Sequence, residues 1–149
     1  MLRLLASIFT LSAILVSPAG AEMSTKALAS PYTDAAVKWA GCPEFLPKDC
    51  ALAVLNGDPA KPNSDIWFKL MPGSPLPEHY HTSAERMVLV SGELNIQYTG
   101  QDPVVLKPGM YAYGPAKLAH KGSCAAGADP CVLFIAFEGP VDAIPTEKK

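Results

Sequence analysis

Seven short apolar runs succeed one another through this sequence: LAVLN (52–56), DIWFKL (65–70), RMVLVS (86–91), LNIQY (94–98), VVL (104–106), MYAYG (110–114) and CVLFIAF (131–137). Each is bounded by turn-forming residues, among them Gly57-Asp58-Pro59, Pro72-Gly73-Ser74, Ser91-Gly92-Glu93, Thr99-Gly100 and Lys107-Pro108-Gly109. Runs this short, with turn signals this frequent, read as strands. Parallel strands need crossover connections of a dozen or more residues, usually helices, and no long amphipathic pattern lies between these runs. The expectation is an all-β, antiparallel sandwich or barrel. Fifteen prolines and 11 glycines agree with so many turns.

A chain of 149 residues closes one hydrophobic core. A formal charge of −2 and a pI near 5.9 offer no basic field for phosphates, which excludes a nucleic-acid partner. The expected layout has four parts: 1–21 a signal peptide, 22–50 an N-terminal extension, 51–140 the β-barrel, and 141–149 a C-terminal tail. The first part rests on Arg3, the apolar run 4–16 and the small residues Ala19 and Ala21, the pattern of a secretory leader cut after Ala21. That apolar run is shorter than the roughly 20 residues a membrane-spanning helix needs, so no stable membrane insertion is expected after cleavage. The mature protein is then periplasmic or secreted, the periplasm being the destination in a Gram-negative cell. Within the extension, residues 22–32 read as irregular and TDAAVKWA (33–40) predicts a short helix starting at Thr33 or Asp34.

Four cysteines suit an oxidising compartment. Cys42 and Cys50 bracket one short loop, Cys124 and Cys131 another, and local pairing within each loop is the preferred of three possible connectivities. A zinc site is the alternative, but the chain has no C-x-x-C pair.

The chain has only three histidines, His79, His81 and His120. In an extended segment His79 and His81 project from one face while Tyr80 projects from the other. Glu85 follows a short TSA turn, which is expected to bring it onto the adjacent strand beside the imidazoles. Two nitrogens and a carboxylate suit Fe, Mn, Ni, Cu, Co or Zn, and His120 supplies a third nitrogen. Met87 and Leu89 share the face of Glu85. By itself a histidine pair on a strand is more often surface decoration than a metal site.

The glycine and proline frame around these residues is similar to that of the cupin family. Gly73-SPLPE-His79-Tyr80-His81-TSA-Glu85-RMVLVS-Gly92 matches every spacing of the first cupin motif, G-x5-H-x-H-x3-E-x6-G. Of the second, G-x5-P-x-G-x2-H-x3-N, the chain keeps Gly109, Pro115 and His120, while Lys117 replaces a glycine and Cys124 the asparagine. The resemblance implies a single-domain jelly-roll β-barrel with His79, His81, Glu85 and His120 holding a divalent transition metal. Lys117 suggests ordinary backbone angles in the turn before His120. A reduced Cys124 would lie near the metal, but the partner at Cys131 argues for a disulfide.

Cupins of this ligand type include dioxygenases, isomerases, decarboxylases, lyases and proteins without catalysis. The reading is therefore an exported metalloenzyme acting on a small oxygen-bearing molecule, with a noncatalytic metal- or ligand-binding protein as the alternative. No catalytic residue is assigned. Tyr98, Tyr111 and Tyr113 are the phenols expected near the barrel mouth, and Glu78 and Arg86 flank the ligands, Glu78 pointing away. The resemblance also implies a possible homodimer formed by pairing of barrel edges.

Overall fold

The computed structural model describes residues 23–127 and 129–146. The expected leader, 1–21, lies outside the described residues. The strands are β1 (Ala40–Gly41), β2 (Ala51–Asn56), β3 (Ser64–Leu70), β4 (Pro75–Tyr80), β5 (Glu85–Ser91) and β6 (Leu94–Tyr98), followed by β7 (Val104–Leu106), β8 (Tyr111–Gly114), β9 (His120–Cys124), β10 (Cys131–Phe137) and β11 (Ile144–Pro145). They form a six-stranded sheet, in the order β1-β2-β3-β10-β5-β8, and a five-stranded sheet, β11-β4-β9-β6-β7. Every pairing is antiparallel. This is the expected all-β fold, two facing sheets in a jelly-roll arrangement.

Alternation builds the core. Along β5 the residues Glu85, Met87, Leu89 and Ser91 are buried while Arg86 is exposed, as a strand with one covered face requires. Ile66, Met87, Leu89, Ile135 and Phe137 of the larger sheet meet Leu76, Leu94, Ile96 and Leu106 of the smaller. Each such side chain stabilises the fold by about 1.5–3 kcal/mol. The turn from β5 to β6 depends on Gly92. Its φ of +75° is left-handed, and a Cβ there would lie 2.7 Å from the Pro130 carbonyl oxygen.

Besides the two-residue β1 and β11, two strands carry no apolar run. PLPEHY of β4 and HKGSC of β9 owe their strand state to neighbours: β4 pairs with both β9 and β11, and β9 with both β4 and β6. The register of β4 on β9 shifts between Leu76 and His79, the stretch that holds Pro77, because proline brings no N–H to a ladder.

Residues 33–40 are not a helix. They form turns, with Asp34 accepting from the Ala36 amide, and the segment ends in β1 paired to β2. A short helix has little stability of its own, and here Trp39 instead stacks under the Lys69 ammonium, 4.0 Å from the ring centroid. Lys117 also departs from expectation. Its φ is +63°, left-handed as the missing glycine would be, and its amide donates to the His81 carbonyl at 2.8 Å.

Both cysteine pairs are joined locally, Cys42 to Cys50 and Cys124 to Cys131. The second ties the end of β9 to the start of β10 and so links the two sheets. Cys124 is therefore no thiol.

Candidate metal centre

The site grows out of the register of the smaller sheet. His120, the first residue of β9, lies opposite His79 of β4 on one side and Tyr98 of β6 on the other. Directly opposed residues of antiparallel strands bring their side chains together. The ring centroids of His79 and His120 are 4.3 Å apart, and those of Tyr98 and His120 4.9 Å. His81 follows β4 by one residue and places its ring 5.0 Å from that of His79 and 5.2 Å from that of His120.

Glu85 arrives from the other sheet. The turn at 82–84 does not fold it onto a strand adjacent to β4 but crosses the barrel, so that Glu85 opens β5 in the facing sheet. One carboxylate oxygen lies 3.5 Å from His81 Nε2 and the other 3.8 Å from His120 Nε2. Gly114 makes this approach possible. It is the ladder partner of Glu85, and a Cβ on it would fall 2.7 Å from Glu85 Oε1 and 2.8 Å from the Tyr98 hydroxyl.

The imidazoles are oriented by backbone oxygens. His79 Nδ1 is 2.7 Å from the Pro77 carbonyl, His120 Nδ1 is 3.5 Å from that of Leu118, and His81 Nδ1 meets the carbonyl of Asp142. In each ring Nδ1–H donates to a carbonyl, which leaves Nε2 as a lone pair. Nitrogens of the three rings can be chosen within 4.8 Å of one another. The set of three neutral nitrogens and one carboxylate, with each ring fixed through its second nitrogen, fits a divalent transition metal.

Burial sets the protonation states. His79 and His120 are 4% and 3% exposed, and loss of water around the charged form lowers their pKa values to about 4 and about 3. Both are therefore ready ligands at neutral pH. Burial pushes the Glu85 carboxyl up, against the opposing influences of His81 and Tyr98. The Tyr98 phenol is held protonated, first by burial and then by the Glu85 carboxylate beside it. Its hydroxyl is enclosed and makes no well-formed hydrogen bond.

The four ligand candidates line one cavity of about 130 Å³ between the sheets. Its walls are apolar. Cys42, Pro43 and Leu46 of the N-terminal extension close part of it, and Phe45 packs on His79 with centroids 5.9 Å apart. Val141, Asp142 and Ala143, from the stretch expected to be a tail, close another part, and β11 adds a strand to the smaller sheet.

Of the three tyrosines, only Tyr98 reaches the site. Tyr111 and Tyr113 are 59% and 49% exposed on the outer face of β8, contrary to their expected place at the barrel mouth. Pairing decides this: Glu85 faces inward opposite Gly114, so Tyr113, one residue earlier, faces out and Tyr111 with it. Glu78 faces solvent as expected and bonds Thr146; Arg86 pairs on the surface with Glu138. Asp142 had no signal in the sequence. It acts on His81 through a carbonyl that any residue carries, while its carboxylate binds the amide and hydroxyl of Thr82.

The comparisons with known proteins bear on the fold. Residues 66–137 match the family model for the cupin domain. That segment, just under half of the chain, is similar to cupin domains. No curated protein matches the chain. A cupin-2 domain protein from Rhodospirillum rubrum superposes with a TM-score of 0.62 at 18% identity, over 82% of this chain and 84% of its own. The DMSP lyase DddQ from Ruegeria pomeroyi gives 0.62 at 16% identity over 74% of this chain, which spans 61% of the lyase's length. An oxalate decarboxylase from Bacillus subtilis gives 0.59 at 14% identity, over 74% of this chain and 30% of its own. At these identities the likeness is one of fold. What distinguishes this chain is the lining of its cavity.

Proposed function

We propose that this protein is a metal-dependent cupin enzyme that binds one divalent transition metal through His79, His81, Glu85 and His120 and converts a small oxygen-bearing molecule, in a reaction of dioxygenase, isomerase or lyase type. The observation that carries this reading is the convergence of three imidazoles, each tied through Nδ1 to a backbone carbonyl, on a carboxylate buried with them in an apolar cavity. A metal held there would act as a Lewis acid and keep coordination positions for an oxygen ligand. The chain's own contribution is to fix the ligands on paired strands, to exclude water with apolar walls, and to keep the Tyr98 phenol protonated beside Glu85. Fold likeness alone does not choose among these reactions.

One observation favours a noncatalytic binding protein as second reading. Besides the four ligands, the one charged group lining the cavity among the described residues is Asp142, whose carboxylate is already bonded to Thr82. A free acid or base aimed at the substrate is what an enzyme would add. The two disulfides support an oxidising, exported location for either reading.

Elemental analysis of protein secreted by its own host should find close to one transition metal per chain, and His79→Ala should lose most of it. Equal metal in wild type and variant would overturn the metal reading. An oxygen-uptake and product screen with small carbonyl and carboxylate compounds separates the rest: turnover supports the enzyme, and saturable binding without turnover supports the second reading.

A further inference from the structure

We propose that the cavity selects a small monoanionic molecule with one oxygen-bearing head and an apolar body, and rejects dianions of the same shape. The inference rests on the metal reading above and concerns the substrate class of that site.

Three properties of the cavity carry it. The walls beyond the ligands are hydrocarbon, with Leu76, Met87, Ile96, Leu133, Ile135 and Phe137 among them, and among the described residues no lysine or arginine lines any part. A second carboxylate entering there would be stripped of water without a partner. The one remaining charge is the wrong sign, since Asp142 would repel it. Third, a divalent ion with three neutral imidazoles and the Glu85 carboxylate leaves one net positive charge, which a single anionic head neutralises.

Size narrows the class further. Apolar cavities of about 150 Å³ hold benzene, and this one, which the metal and the head would share, measures about 130 Å³. The body is therefore limited to about five non-hydrogen atoms at most. Within that limit each added methylene should tighten binding about fourfold, the equivalent of ~0.8 kcal/mol.

The test compares succinate with 4-methylpentanoate, in which an isopropyl group replaces one carboxylate at nearly constant shape. The cobalt(II)-loaded full chain is titrated with each acid while the visible cobalt bands are followed, with azide as the control for an open coordination position. The expected result is a spectral change at a concentration at least about tenfold lower with 4-methylpentanoate than with succinate. Equal or tighter binding of succinate would overturn the selectivity while leaving the metal site standing. So would a spectrum that shifts with azide but with neither acid. Failure of the wild-type chain to take up cobalt would overturn the metal reading and this inference with it.

Discussion

At Tyr98 a phenol is enclosed against the Glu85 carboxylate and the His120 ring without forming a good hydrogen bond, an arrangement that is costly unless something nearby gives it a task. Partners of metal-binding carboxylates commonly hold the ligand in place, and their removal weakens metal binding 10- to 100-fold. Tyr98→Phe should keep the ring packing, leave the stability of the metal-free protein within about 0.5 kcal/mol, and lower metal affinity by roughly tenfold in a chelator competition. An unchanged affinity would make Tyr98 a packing residue only. Gly114 acts on the same pair from across the ladder. Gly114→Ala should cost about 1–3 kcal/mol in urea denaturation, because its methyl would occupy space held by Glu85 and Tyr98, and metal should be lost along with it. This constraint could not be read from the glycine itself. The motif frame draws attention to Gly109 and Pro115, whereas Gly114 gains its meaning only when β8 is laid beside β5.

At the scale of elements, the motif from Gly73 to Gly92 runs through two sheets rather than one hairpin. β4 delivers His79 in the smaller sheet, the turn at 82–84 crosses the barrel, and β5 delivers Glu85 in the larger. The Cys124–Cys131 bridge makes a second such crossing, from β9 to β10. Replacing both of these cysteines by alanine should destabilise the chain by about 2–3 kcal/mol, the loop-entropy value for so short a loop, as measured by the shift in urea midpoint. Seven strands were legible as apolar runs because each pairs a covered face with turn residues at its ends. β9 was not, since its sequence HKGSC reads as loop until neighbours on both sides supply its hydrogen bonds. TDAAVKWA failed in the opposite sense: a pattern fit for a helix was overridden by pairing with β2 and by the contact of Trp39 with Lys69.

For the whole molecule, burial of the site couples stability to pH. His79 and His120 have pKa values near 4 and 3 in the folded protein, below the ordinary 6.5, so the unfolded chain binds more protons in between. Their neutral forms cost nothing above about pH 6.5, and stability is lost as pH falls from there toward the folded values, on the order of a few kcal/mol for each ring. Glu85 works the other way. Its raised pKa means that the folded state gains on protonation, which offsets part of the histidine loss above the carboxyl's ordinary value. Metal-free protein should therefore unfold at a lower temperature at pH 5 than at pH 7.5. The metal-loaded form should show a larger difference, because protons compete with the ion for the same nitrogens. Flat thermal stability over that range would contradict the burial of these groups.

The strand-rich class and the spacing of His79, His81, Glu85 and His120 are written along the chain, because side-chain alternation, turn residues and motif intervals are properties of near neighbours. Which sheet carries Glu85, which tyrosine faces inward, and the closing of the cavity by residues 42–46 and 141–143 emerge only when the sheets pack. Those outcomes follow from register and from packing between distant segments. A one-residue change of register would exchange every inward side chain for an outward one, and no local pattern records which of the two is realised.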